Sequence, residues 1–188
     1  YYFNMSKEWH SKSYNSNGDR TMTSIIKVDT LQTSSGGTPT AGSLGLASGS
    51  VVKVTRLQTT AETENSSQSY VTVWDASYTP ILPNSRIIFH WTLRWRCSHS
   101  GGAEKRFFYL LNVNGSEAWA TGYNGIYSYT GDGEWNKADY TSSYEYTNTT
   151  GNSVALQFRG KNIDSASNLV FNDDAGDTSV LTITELVT

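Results

Sequence analysis

In the stretch Arg86-Ile-Ile-Phe-His-Trp-Thr-Leu-Arg-Trp-Arg-Cys97, large apolar side chains occupy every second position: Ile87, Phe89, Trp91, Leu93, Trp95 and Cys97. His90, Thr92, Arg94 and Arg96 fill the alternate positions. Successive side chains of a strand point to opposite faces, so this repeat of two predicts β-structure; a helix repeats at 3.6. One apolar face and one polar face predict an antiparallel sheet with one side buried.

Residues 105–121 carry the second strong signal. Asn114-Gly115 is the preferred pair for a tight hairpin turn in which both central residues need positive φ. A two-residue loop sets Val113 opposite Ser116, Leu111 opposite Ala118 and Tyr109 opposite Ala120. Phe108, Leu110 and Trp119 then fall on the other face. Both faces are apolar, and a sheet buries one face per packed layer. A second layer or a second copy of the chain is expected to cover the excess. Tyr109, Leu111 and Val113 are the candidate oligomer-interface residues.

Further strands are expected over residues 24–28, 51–60, 70–74, 154–159, 168–171 and 178–187. Turn signals separate them, and no helical period occurs. The expected fold is all-β: an antiparallel β-sandwich of jelly-roll-like type. Residues 51–188 form this head. Residues 1–50 are read as an extended arm and a Gly/Ser/Thr-rich stalk, with Leu31, Leu44 and Leu46 the large apolar side chains after residue 28. The first 21 residues are polar but interrupted by Tyr1, Tyr2, Phe3, Trp9 and Tyr14. This is either a frayed end or a docking arm whose rings bury only against a partner. Tyr1, Tyr2, Phe3 and Trp9, with Ile25 and Ile26, are the attachment candidates.

Composition narrows the function. Charged residues are 16% of the 188, below the usual quarter, which excludes a coiled coil. A net charge of −3 provides no general attraction to nucleic acid or anionic lipid. The single cysteine, Cys97, excludes an internal disulfide and a Cys-rich zinc site. No apolar run approaches the ~20 residues of a membrane span. The opening Tyr1-Tyr2-Phe3-Asn4-Met5 lacks the pattern of a signal peptide.

Aromatics are 13%, and many lie on a Gly-, Asn- and Thr-rich segment over residues 122–150. Rings on polar loops suit sugars, whose apolar face stacks on a ring while a phenol supplies a polar contact. Tyr123, Tyr127, Tyr129, Trp135 and Tyr140 are therefore glycan-contact candidates; Tyr144 and Tyr146 lie beside them. The plainer alternative is that these rings fold back over a sheet edge or fill a subunit contact. Arg86, Arg94, Arg96, Lys105 and Arg106 have the charge to hold an acidic polysaccharide, or they form an ordinary solvated strand face. Asn172-Asp-Asp-Ala-Gly-Asp177 has oxygen ligands of the kind calcium prefers, without the distal Glu of an EF-hand. A polar turn before the last strand explains it better.

Catalytic signals are absent from the sequence. His10, His90 and His99 are not at zinc-ligand spacing, and neither a Gly-x-Ser-x-Gly elbow nor a phosphate loop occurs. The acids are scattered, and sequence cannot set two of them across a cleft as a glycosidase requires. No catalytic residue, cofactor or metal is expected. The sequons at Asn4, Asn65, Asn114 and Asn148 carry little weight in so Asn/Ser/Thr-rich a chain.

One resemblance adds to this. Met22-Thr-Ser-Ile-Ile-Lys-Val-Asp-Thr-Leu-Gln-Thr-Ser-Ser-Gly-Gly-Thr-Pro-Thr-Ala41 resembles the opening of tail-fibre-like proteins of marine and cyanobacterial phages. So do Val51-Val-Lys-Val-Thr-Arg-Leu-Gln-Thr59, Tyr78-Thr-Pro80 with Asn84-Ser-Arg-Ile-Ile88, Phe108-Tyr-Leu-Leu-Asn-Val-Asn-Gly115 and Ser179-Val-Leu-Thr-Ile-Thr-Glu-Leu186. The likeness spans residues 22–188, and residues 1–21 precede the family-like start. It implies a homotrimeric, non-enzymatic appendage on the virion surface. The arm would contact other virion proteins and the head would meet host surface polysaccharide. A capsid decoration or head-fibre protein, an envelope-glycan depolymerase and a secreted lectin are the alternatives.

Overall fold

The computed structural model describes the backbone of residues 2–3, 31–32, 46–99, 104–121, 126–129, 135–162, 167–173 and 176–188. The expected strand at 24–28, and Tyr1, Trp9, Ile25, Ile26 and Tyr123, lie outside the described residues. The chain divides into two units, Tyr1–Leu46 and Ala47–Thr188. In the first, β1 (Tyr2–Phe3) pairs antiparallel with β2 (Leu31–Gln32). The second comprises β3 (Val51–Thr59), β4 (Thr63–Asn65), β5 (Val71–Tyr78), β6 (Ser85–His99), β7 (Glu104–Val113), β8 (Ser116–Ala120), β9 (Ile126–Tyr129), β10 (Trp135–Asn148), β11 (Val154–Asn162), β12 (Ser167–Phe171) and β13 (Ser179–Val187). Every pairing is antiparallel, and no helix occurs among the described residues.

The strands of the second unit form two sheets around one core, a sandwich-like arrangement. β6 is the spine of the first. β10 pairs along its whole length, from Trp135 opposite Ser98 to Asn148 opposite Ser85. The other edge of β6 is shared end to end by β12, opposite 95–99, and β13, opposite 85–92. β3 flanks β13 and β4 flanks β12. The second sheet runs β5-β11-β7, and β7 is likewise shared end to end by β8 and β9.

The alternation of β6 holds in space. Ile87, Phe89, Trp91, Leu93, Trp95 and Cys97 are all buried. Opposite them the second sheet supplies Phe107, Tyr109, Leu111, Val113, Val154, Leu156 and Phe158. Rings fill the space between the layers. Trp91 meets Phe158 edge-on at 5.5 Å and Trp119 at 5.2 Å; Trp95 meets Phe107 at 5.6 Å; Tyr109 meets Phe171 at 5.3 Å. Where the layers approach most closely, Gly160 leaves room for a ring: a Cβ there would lie 3.0 Å from Phe171 Cζ.

The hairpin corrects two expectations. Its turn is as expected, with Asn114 at φ 51° and Gly115 at φ 80°, and Val113 is opposite Ser116. A bulge then leaves Ala118 as the extra residue, so Leu111 faces Trp119 and Leu110 faces Ala120. The slip moves Trp119 from the outer face to the inner one, where it packs on Trp91. Tyr109, Leu111 and Val113 are 1%, 0% and 5% exposed within a single chain. They are core residues, already covered by the opposing sheet, and present no surface to a second copy. Leu110, on the opposite side of the strand, is also buried.

One buried carboxylate ties the layers together. Glu185 on β13 is fully buried. It accepts hydrogen bonds from the Tyr78 hydroxyl at 2.7 Å, the Ile81 amide at 2.9 Å and the Leu82 amide at 2.9 Å. Tyr78 ends a strand of the second sheet, while residues 81–82 lie on the crossing back into the first. Burial alone raises the Glu185 pKa. The donors of Ile81, Tyr78, Leu82 and Ser85 outweigh it and hold the carboxyl below its ordinary value. Burial and the Glu185 charge in turn raise the Tyr78 phenol.

A depressed carboxylate stabilises the fold above its unfolded pKa and loses that contribution as pH falls through the folded value. Glu185→Ala strands these donors and is expected to destabilise by about 3 kcal/mol or more in urea melts at pH 7. The advantage of the native chain over Glu185→Gln is expected to shrink between pH 7 and pH 3; a constant difference contradicts this assignment.

Candidate functional site

The segment 122–150, expected to be loop, holds β9 and the long strand β10. Tyr140, Tyr144 and Tyr146 recur at period two and turn toward the core. Tyr140 stacks on Tyr109 with centroids 5.6 Å apart and lies 5.8 Å from Trp119. Tyr146 lies against Phe89, and its hydroxyl accepts a bond from Asn114 Nδ2 at 3.3 Å. Tyr140 is therefore interlayer packing rather than a ring offered on a loop. Tyr127 and Tyr129 are placed by register opposite Arg106 and Glu104, and Trp135 opposite Ser98; their side chains lie outside the described residues.

The basic strand face and the acidic turn answer one another. Arg86 makes a two-pronged contact with Glu145 at 2.9 and 2.8 Å. Arg94 reaches Asp139 at 3.3 Å and Asp177 at 3.2 Å. Arg96 pairs with Asp173, while Lys137 lies 3.6 Å from Asp173 and 3.9 Å from Asp177. The side chains of Asp173 and Asp177 are only 5% and 12% exposed. The turn that separates β12 from β13 thus folds over Arg94 and Arg96. The Ser179 hydroxyl secures it, donating to Asn172 Oδ1 at 2.8 Å and accepting from the Arg94 amide at 2.9 Å. These cations are neutralised in place, and no cluster of three metal-ligating side chains occurs among the described residues.

A different surface combines rings with positive charge. On the outer face of the second sheet, Lys161 of β11 is opposite Phe108 of β7, and Arg159 is opposite Leu110. The Lys161 ammonium sits 4.6 Å from the Tyr70 ring centroid and 5.4 Å from that of Phe108. Arg159 lies 5.9 Å from the same Tyr70 ring and donates to the Tyr70 carbonyl at 3.0 Å. Tyr70, Phe108, Arg159 and Lys161 are all half-buried, and Arg106 on the same side of β7 is exposed. Burial raises the Tyr70 phenol, nearby Glu117 raises it further and Arg159 opposes them. Among the described residues Lys161 forms no ion pair, and its ammonium lies against the two rings.

Sequence reasoning passes over this group. Arg159 and Lys161 do alternate with the inward Phe158 and Gly160, but the register that sets Lys161 beside Phe108 joins residues more than fifty positions apart.

No protein-family model matches the chain, and no curated protein matches it. A solved structure, dimeric latent PorU from Porphyromonas gingivalis, is similar over 75% of this chain and 14% of its own length, at 7% identity and a TM-score of 0.38. The chain thus spans about a seventh of that protein.

If Tyr140 belongs to the core, Tyr140→Ala is expected to destabilise by about 2–4 kcal/mol in denaturant melts. An unchanged midpoint contradicts this placement.

Proposed function

We propose that this chain is a non-enzymatic structural protein of a phage virion, of tail-fibre or appendage type, that adheres to polysaccharide on the host surface. The observation that carries the adhesive reading is the outer face of the second sheet. There Tyr70 and Phe108 frame Lys161, a cation that no described carboxylate claims. The resemblance over residues 22–188 supports the virion assignment. Of the described acids, Asp139, Asp173, Asp177 and Glu145 are held by cations and Glu185 by buried donors.

In this proposal the head is a jelly-roll-type sandwich, and residues 1–50 are the extended arm that docks on other virion proteins. The head is carried as a homotrimer. The trimer rests on the resemblance, since the hairpin residues first assigned to it lie in the core of one chain. Several weak sites on one particle raise avidity by orders of magnitude when they engage together.

Light scattering on the purified chain is expected to give three times 20.8 kDa, and cross-linking of intact particles is expected to join residues 1–50 to another virion protein. Saturating free chain is expected to slow particle adsorption to host cells by about tenfold or more, because free trimers occupy the sites that the many copies on a particle engage together. A monomer that joins no virion neighbour contradicts the proposal.

A further inference from the structure

We infer that Asn114 is a latent deamidation site, which the folded hairpin holds inert and local opening of the sandwich releases. In an Asn-Gly pair the glycine has no side chain to hinder attack by its own backbone nitrogen. The Gly115 nitrogen attacks Cγ of Asn114, the Cγ–Nδ2 bond breaks, and ammonia leaves with the proton that the nitrogen gives up. Water then opens the resulting five-membered imide at either carbonyl. One product is an aspartate; the other is an isoaspartate, whose main chain runs through the side-chain carbon. Water is the sole co-reactant, and Asn114 and Gly115 are both exposed to it.

The nucleophile in this turn is free. The Gly115 amide donates no hydrogen bond among the described residues, and a Cβ built on Gly115 meets nothing within 4 Å. The electrophile is gripped. Asn114 Oδ1 accepts from the Ala155 amide at 2.9 Å, and Nδ2 donates to the Tyr146 hydroxyl at 3.3 Å. The Asn114 amide also donates to the Ala155 carbonyl at 2.9 Å. One residue is thus tied to β11 of its own sheet and to β10 of the other. The backbone adds a second restraint. At φ 51° Asn114 lies in the left-handed region. The ψ of about +47° that accompanies it turns the next amide nitrogen away from Cβ. Ring closure needs that nitrogen and Cγ on the same side of the Cα–C bond, so turn and clamp have to open first.

Reaction also undoes what restrained it. Either product lacks the Nδ2 donor to Tyr146, and the isoaspartate lengthens the main chain of a turn that sets Val113 opposite Ser116. The hairpin that seats Trp119 on Trp91 loosens as a result. The end of the sandwich therefore keeps an irreversible record of having opened.

Peptide mapping by mass spectrometry on the full chain, incubated at mildly alkaline pH with and without unfolding urea, tests this. Asn17-Gly18 and Asn124-Gly125 are reference pairs in the same urea digests, and Asn114 is expected to convert alongside them. In the native chain Asn114 is expected to convert at least about tenfold more slowly than in urea. Tyr146→Phe keeps the ring against Phe89 and removes the hydroxyl. It is expected to speed native conversion about threefold or more and to leave the rate in urea unchanged. Tyr144→Phe, on the same strand and turned toward the same core, is expected to leave both rates unchanged. Native conversion as fast as in urea overturns the inference, and so does an Asn114 that stays inert in urea while the reference pairs react. An unchanged native rate in Tyr146→Phe, or equal acceleration by Tyr144→Phe, overturns the clamp assigned to β10.

Discussion

The inward row of β6 is the constraint from which the rest of the structure follows. Six apolar side chains on a single strand, from Ile87 to Cys97, have to leave water together, and no neighbour within their own sheet can cover them. A second sheet must face them. At roughly 25 cal/mol per Å² of apolar surface, burying the large rings among them contributes several kcal/mol. The opposing strands answer in kind: Phe107, Tyr109, Trp119 and Phe158 reach across to Trp91, Trp95, Tyr140 and Phe171. The aromatic richness of the chain is thus largely a packing solution. Rings that the composition alone offers to a sugar are spent between the layers.

Both spine strands share an architectural device. One edge of β6 is covered by β12 and β13 in succession, and one edge of β7 by β8 and β9. The chain leaves the edge between the two pieces and then returns to it. On β6 the excursion carries Asp173 and Asp177 over Arg94, Arg96 and Lys137. Much of the charge on that side is therefore internal bookkeeping. Polar clamps hold the ends of the sandwich. Glu185 gathers Tyr78, Ile81 and Leu82. Asn148 donates to the Leu82 carbonyl at 2.8 Å, and Asn65 to the Gly160 carbonyl at 3.0 Å.

The all-β class and most strands were legible because period two is a strong local signal where hydrophobic and polar residues differ sharply, as in β6 and β13. β10 was hidden because its inward residues, Tyr140, Ser142, Tyr144 and Tyr146, alternate with Thr, Ser and Glu. Polarity barely changes along it, although Tyr and Thr are good strand formers. The hairpin register was right at the turn and wrong beyond Asn112, because one bulged residue is invisible to a two-residue-loop rule. The interface assigned to Tyr109, Leu111 and Val113 failed for a related reason: sequence counts apolar faces but cannot count the layers that cover them. The Lys161 seat depends on long-range register between β7 and β11, which no local pattern carries.

Lysine-modification footprinting of the full chain, with and without host surface polysaccharide, addresses the central claim most directly, because Lys161, Lys137 and Lys53 occupy three different settings in one molecule. Protection of Lys161, with Lys53 and Lys137 labelled as before, is the result that agrees with a contact surface on the outer face of the second sheet. Protection of Lys137 with Lys161 unaffected would place the contact on the β6–β10 side and contradict the account.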